Sequence, residues 1–175
     1  MKKNNAIWIL SAVVVVGIAS LALYLSSRRQ GYIKLDTPDA KMKLRSGLFS
    51  SANISSSAEP VEVNARVYRP QWLSITKKQN GDTWRMESFG PWGTMATVKV
   101  SEGQTTVLKP GPPFLVKANV SPSSSRVSIG FEFLGQAGEQ YQSSATKNGR
   151  RQPAPKVKIV DEEGKTLASG KFEYG

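Results

Sequence analysis

The chain has 175 residues, no cysteine and no histidine, and 24 basic against 13 acidic residues for a formal charge of +11. The missing cysteine excludes disulfide staples and thiol chemistry, and the missing histidine removes the commonest general base and the commonest metal ligand. The positive balance favours anionic surroundings such as lipid headgroups, acidic polysaccharide or nucleic acid, without choosing among them.

Residues 1–5 read as a short tail carrying Lys2 and Lys3. Residues 6–25, "AIWILSAVVVVGIASLALYL", contain no charge. At about 1.5 Å rise per residue such a helix matches a hydrocarbon core about 30 Å thick. Trp8 and Tyr24 stand near its two ends, where amphipathic rings favour the headgroup level. The run predicts one uncleaved transmembrane signal-anchor helix. Cleavage as a signal peptide, at the small residues of Ser20-Leu21-Ala22, is the competing reading. Lys2 and Lys3 favour an inside N-terminus and an exported body. Arg28, Arg29, Lys34, Lys41, Lys43 and Arg45 count the other way, although long exported domains escape that count. A body of strands and turns without a nucleotide motif favours the periplasmic or extracellular side.

Residues 26–31, "SSRRQG", read as a linker, and 32–175 as one extracytoplasmic domain. "VEVNARVYR" (61–69) alternates with Val61, Val63, Ala65 and Val67 on one face, the period of a half-buried strand. In "LSITKKQNGDTWRME" (73–87), Asn80-Gly81 lies between two strand-like runs and predicts a two-residue hairpin, since both residue types tolerate positive φ. "TMATVKVS" (94–101) and "FLVKANVS" (114–121) are shorter alternating runs, and "GPPF" (111–114) is a stiff break between two groups of strands. "RVSIGFEFL" (126–134) directs Val127, Ile129, Phe131 and Phe133 inward. The polar stretches 50–60 and 142–155 read as loops. Many short strands without a helical period predict an all-β fold, a β-sandwich of immunoglobulin-like or transthyretin-like type, with a barrel as the alternative.

The last strands close on "VKIVDEEGKTLASGKFEYG", where Gly164 suits a left-handed turn position and Gly170 marks an expected bulge. Val157, Ile159, Asp161, Gly164 and Lys165 match V-x-V-x-D-x-x-G-K. This hairpin resembles that of transthyretin-like and carboxypeptidase-regulatory-like β-sandwich modules. The resemblance covers about 20 residues and implies a non-catalytic spacer or binding unit of an exported protein. The chain as a whole resembles small membrane-anchored proteins of the bacterial envelope.

No catalytic residue is predicted. Without His or Cys, covalent catalysis needs a Ser–Lys dyad or a carboxylate pair, and no such signature occurs. Asp161, Glu162 and Glu163 are adjacent on a turn, point apart, and lack the alternating spacing of a calcium loop. No glycine-rich phosphate cradle opens a helix. The expectation is a protein with no cofactor and no metal.

Two sets of binding residues stand out. Trp72, Trp84 and Trp92 would stack on sugar rings if exposed, and would be core residues otherwise. Lys41, Lys43 and Arg45, together with Lys147, Arg150 and Arg151, would contact an anionic surface, or else simply solubilise it. The expected role is a structural or protein-interaction module of the cell envelope. The alternative is a module that binds anionic envelope polysaccharide. Partners are the membrane, another envelope protein and possible acidic polysaccharide, but not nucleic acid, since no aromatic–basic RNA motif occurs.

Overall fold

In the computed structural model, residues 29–48, 50–124, 126–143 and 145–173 are described. The expected transmembrane helix, residues 6–25, lies outside them. Among the described residues no helix is long and apolar enough to cross a membrane.

The described chain is all-β, with a single 3₁₀ turn at Gly93–Met95. The strands are β1 (Gln30–Leu35), β2 (Ala40–Ser46), β3 (Ser50–Ser55), β4 (Val61–Asn64), β5 (Val67–Gln79), β6 (Asp82–Ser88), β7 (Val98–Lys99) and β8 (Thr105–Leu108). They continue as β9 (Leu115–Ser123), β10 (Arg126–Leu134), β11 (Gln140–Tyr141), β12 (Thr146–Lys147), β13 (Arg150–Arg151), β14 (Lys156–Val160) and β15 (Thr166–Lys171). The linker expected over 26–31 therefore gives way to strand at Gln30.

The largest sheet runs β13-β12-β6-β5-β2-β3, with β7 beside the start of β5. A second sheet, β4-β1-β8, is antiparallel at β1–β4 and parallel at β1–β8. Their buried side chains form one cluster. Ile33, Leu35, Val63 and Leu108 come from the smaller sheet; Met42, Leu44, Ile54, Tyr68 and Leu73 come from the larger. Each fully buried aliphatic side chain stabilises by about 1.5–3 kcal/mol, so this cluster is the main source of cohesion.

Alternation explains β2: Ala40, Met42 and Leu44 are buried while Lys41, Lys43 and Arg45 are exposed. The β5–β6 hairpin turns at Asn80-Gly81, whose φ values of 51° and 80° place both in the left-handed region. A type I′ turn requires that conformation, so the dipeptide determines the register.

Besides the linker, further expectations are corrected, the first being the stretch 142–155, read as a loop, which contains β12 and β13. The alternating run 61–69 is broken at Ala65-Arg66, so that β4 joins one sheet and β5 the other. The inward parity changes there: Tyr68 is buried and Val67 is 49% exposed. The stretch 50–60 includes β3, polar on its outer side and anchored by buried Ile54. In the last hairpin the irregularity falls between Ile159 and Val160, and Gly170 pairs directly with Val157.

After Pro110 the chain builds two hairpins largely outside the core. In β9–β10 the register places Val116, Ala118, Val120 and Pro122 opposite Phe133, Phe131, Ile129 and Val127 on one face, and that face is entirely apolar. In β14–β15, Val157 and Ile159 share a face with Gly170 and Ala168, while Lys156, Lys158 and Lys171 occupy the other.

Candidate functional site

Two surfaces emerge. The first is the outer face of the large sheet. Register pairs Lys41 with Ser74, Lys43 with Trp72 and Arg45 with Arg69 across β2 and β5. Across β6 and β12 it aligns Thr76, Arg85, Thr146 and Arg151. Because paired residues share a face, Lys41, Lys43, Arg45, Arg69, Arg85 and Arg151 all lie on one side, and all are exposed. Glu87 is the acidic residue among the outward positions of these strands in the described chain. It accepts a hydrogen bond from Trp72 Nε1 at 3.3 Å. Half-buried Trp72 thus lies among cations on an open, pleated surface. Arg45 also donates to the Gly47 and Leu48 carbonyls, at 3.0 and 2.9 Å, which steadies the β2–β3 turn.

The structure does not bring the tryptophans together. Trp84 pairs with Lys77 and shares its face with Met86 and Leu73, the side opposite Trp72. Trp92 is half-buried, packs against the core and bridges to Glu139. A three-tryptophan stacking platform is therefore absent, since strand parity sends Trp72 and Trp84 to opposite sides. The basic residues divide in the same way. Arg151 joins the outer face, whereas Lys147 and Arg150 pair with each other and lie on the Trp84 side. Lys147 Nζ is 2.7 Å from Asp82 and 5.5 Å from the centre of the Trp84 ring. Hydrogen bonds from Lys147 and then Asn148 hold the Asp82 carboxyl below its ordinary range.

The second surface is an apolar cleft of about 530 Å³ on the inner side. Trp84 and Met86 of β6 form its floor. Val116, Ala118, Ile129, Phe131 and Phe133 of β9–β10 form one wall; Pro155, Val157 and Phe172 form the other. The Phe131 and Phe172 rings meet edge to face at 4.6 Å, which joins the two hairpins. Further out the apolar face is uncovered, and Val120 and Val127 are 59% and 57% exposed.

Glu139, fully buried at 0% exposure, holds the foot of the β9–β10 hairpin. It accepts from Gly111 N at 2.6 Å, Ala137 N at 3.1 Å and the Tyr141 hydroxyl at 2.7 Å. Gly111 precedes β9 and Ala137 follows β10, so one carboxylate ties both ends of the hairpin. A Cβ at Gly135 would overlap that carboxylate. Burial first, then the Glu139 hydrogen bond and charge, push the Tyr141 phenol well above its ordinary value. With its oxygens occupied and no solvent access, Glu139 is built for fastening rather than proton transfer. Sequence reasoning passed over it, because its partners converge only through the fold. Among the described residues, no group of three or more carboxylates is placed to hold a metal.

No family profile, curated protein or solved structure matches the chain.

Proposed function

We propose that the protein is a membrane-tethered, non-catalytic interaction module of the cell envelope, and that it docks onto an acidic polysaccharide through the outer face of its large sheet. The observation that carries this reading is the segregation of charge: Lys41, Lys43, Arg45, Arg69, Arg85 and Arg151 share one exposed face with Glu87 and Trp72. Each cation near an anionic surface contributes about 1 kcal/mol. A repeating polyanion engages several at once, and Trp72 offers a flat ring against a sugar face. In this reading the residues 6–25 are the tether, the body stands on the periplasmic or extracellular side, and the two core-sharing sheets form a β-sandwich. The likeness of the last hairpin to transthyretin-like and carboxypeptidase-regulatory-like modules agrees with a binding unit that carries no reaction.

The test uses the full chain in nanodiscs of zwitterionic lipid, titrated with a carboxylated polysaccharide and with neutral dextran. The expected result is salt-sensitive binding of the polyanion alone, weakened at least about tenfold in the triple variant K41E/K43E/R69E. Equal binding by that variant, or equal binding of dextran, overturns the proposal. Protease accessibility in intact cells tests the orientation: protection of the body from external protease after the outer barrier is opened contradicts an exported domain.

A second reading, docking of another envelope protein, is favoured by β9. This strand is an edge with every residue exposed. It ranks second because Pro122, near the tip, is the kind of residue that blunts strand-to-strand pairing.

A further inference from the structure

We infer that the cleft between the two hairpins binds a single-chain anionic amphiphile of the fatty-acid type, its hydrocarbon chain against Phe131, Phe133 and Phe172 and its carboxylate at Lys156 and Lys171. This site lies on the opposite side of the large sheet from Lys41, Lys43, Arg45, Arg69 and Arg85, with Arg151 at the sheet edge between the two surfaces, and it is independent of the polysaccharide reading.

Shape and polarity carry the apolar half. At about 530 Å³ the cleft falls within the range of about 300–1,000 Å³ typical of ligand sites. Its lining is apolar apart from Gln142, Ser143, Gln152 and Lys156 at the margins. Water gains little in such a space, because it needs two to four polar partners. The cleft is elongated: past Ile129, Phe131, Val157 and Phe172 it runs into a hollow that reaches Val127 on one side and Lys171 and Glu173 on the other. A chain fits that form better than a compact ring.

The walls also select against polypeptide. The broader wall is the side-chain face of β9–β10, whose two strands pair their N–H and C=O groups with each other, and the other is the open end of β14–β15, where Pro155 has no N–H to offer. A peptide lying there would leave its own backbone polar groups unpaired, whereas hydrocarbon has none to satisfy.

Charge carries the other half. Lys156 lines the cleft and is paired directly across the ladder with Lys171. Like charges directly opposite on a ladder repel. Neither lysine has a carboxylate within ion-pair distance among the described residues. Both open onto a hollow that adjoins the cleft, where the two lysines outnumber the carboxylate of Glu173, so they leave the mouth net positive. A carboxylate placed between the two ammonium groups relieves their repulsion, and the apolar chain extends from it into the cleft.

The experiment treats membranes containing the full chain with a long-chain fatty acid that carries a diazirine in its chain and a terminal alkyne. Irradiation and peptide mapping then locate the adducts. Adducts are expected on the peptides carrying Phe131, Phe133 and Phe172, suppressed by excess unlabelled fatty acid. The variant K156E/K171E changes two exposed side chains and should lower those adducts about tenfold, leaving any adducts on residues 6–25 unchanged as an internal control. The variant A118W should abolish them by filling the cleft. The variant K41E/K43E should leave them unaffected, which separates this site from the polysaccharide face. Adducts confined to residues 6–25, undiminished cleft labelling in K156E/K171E, or equal labelling by the matching fatty alcohol overturns the inference.

Discussion

Replacing Glu139 tests how the hairpin is fastened to the core. The carboxylate accepts two fully buried donors, Gly111 N–H and Tyr141 O–H, and a half-buried one, Ala137 N–H. Glu139→Ala removes all three acceptor contacts and leaves a void. A buried donor left without a partner costs about 1–3 kcal/mol. The Ala137 amide is partly accessible to water and is discounted. Removing a charge that had to be desolvated offsets part of the loss. The expected destabilisation is roughly 3–5 kcal/mol, a large share of an overall stability of about 5–15 kcal/mol. Glu139→Gln keeps the volume and one acceptor oxygen, but directs an NH₂ group at a donor, and should cost about 1–3 kcal/mol. Thermal unfolding of the full chain in mild detergent, followed by tryptophan fluorescence, reads both. At about 2–4 °C per kcal/mol the alanine variant should melt roughly 10 °C lower. Hydrogen exchange should accelerate at the Gly111 and Ala137 amides before it does in β2 or β5. A loss below about 1 kcal/mol for Glu139→Ala would refute the reasoning, because it would mean that water or a local shift satisfies those donors.

Three further outcomes follow from the same contacts. Because the Tyr141 phenol is raised in the folded chain, chiefly by burial and then by Glu139, the folded state holds a proton that the unfolded chain releases above about pH 10. Stability is therefore full below that pH and falls above it by at most about 1.4 kcal/mol per pH unit; Tyr68, raised by burial, adds in the same direction. Denaturation midpoints between pH 9 and 11 check this, and Tyr141→Phe should flatten the decline. Gly81→Val places a β-branched residue at φ +80°, a conformation only glycine adopts freely. It should cost about 1–3 kcal/mol in thermal unfolding, whereas Lys78→Ala nearby should be close to neutral. Phe131→Ala removes the 4.6 Å contact with Phe172 that joins the two hairpins. It should leave the melting of the core nearly unchanged while making β14–β15 markedly more sensitive to limited proteolysis.

Local chemistry was legible wherever the code is local. Asn80-Gly81 located its hairpin, β10 coincides with the alternating run 126–134 although its Val127 is exposed rather than inward, and the last hairpin closes through Asp161, whose backbone and side chain both bond to Lys165. Polar β3 was not legible, because a serine-rich edge strand resembles a loop until its partner supplies the register. The break at Ala65-Arg66 was hidden because the alternating pattern runs through it unchanged. The basic face was half visible. Lys41, Lys43 and Arg45 alternate within β2, but Arg69, Arg85 and Arg151 join them only through strand pairing, including the register shift after Lys43. Trp72 and Trp84 lie twelve positions apart, an even number that predicts a common face in one continuous strand. The hairpin turn between them reverses that parity, so pairing and not spacing decides it. Glu139 gave no signal, because its Gly111 partner lies 28 residues away.

The most direct test of the basic face as the docking surface is lysine footprinting of the full chain in nanodiscs, with and without a carboxylated polysaccharide. Acetylation of Lys41 and Lys43 should be suppressed by the polyanion, while that of Lys158 and Lys165 stays unchanged. Unaltered acetylation at Lys41 and Lys43, or protection concentrated on the β14–β15 lysines, would contradict it.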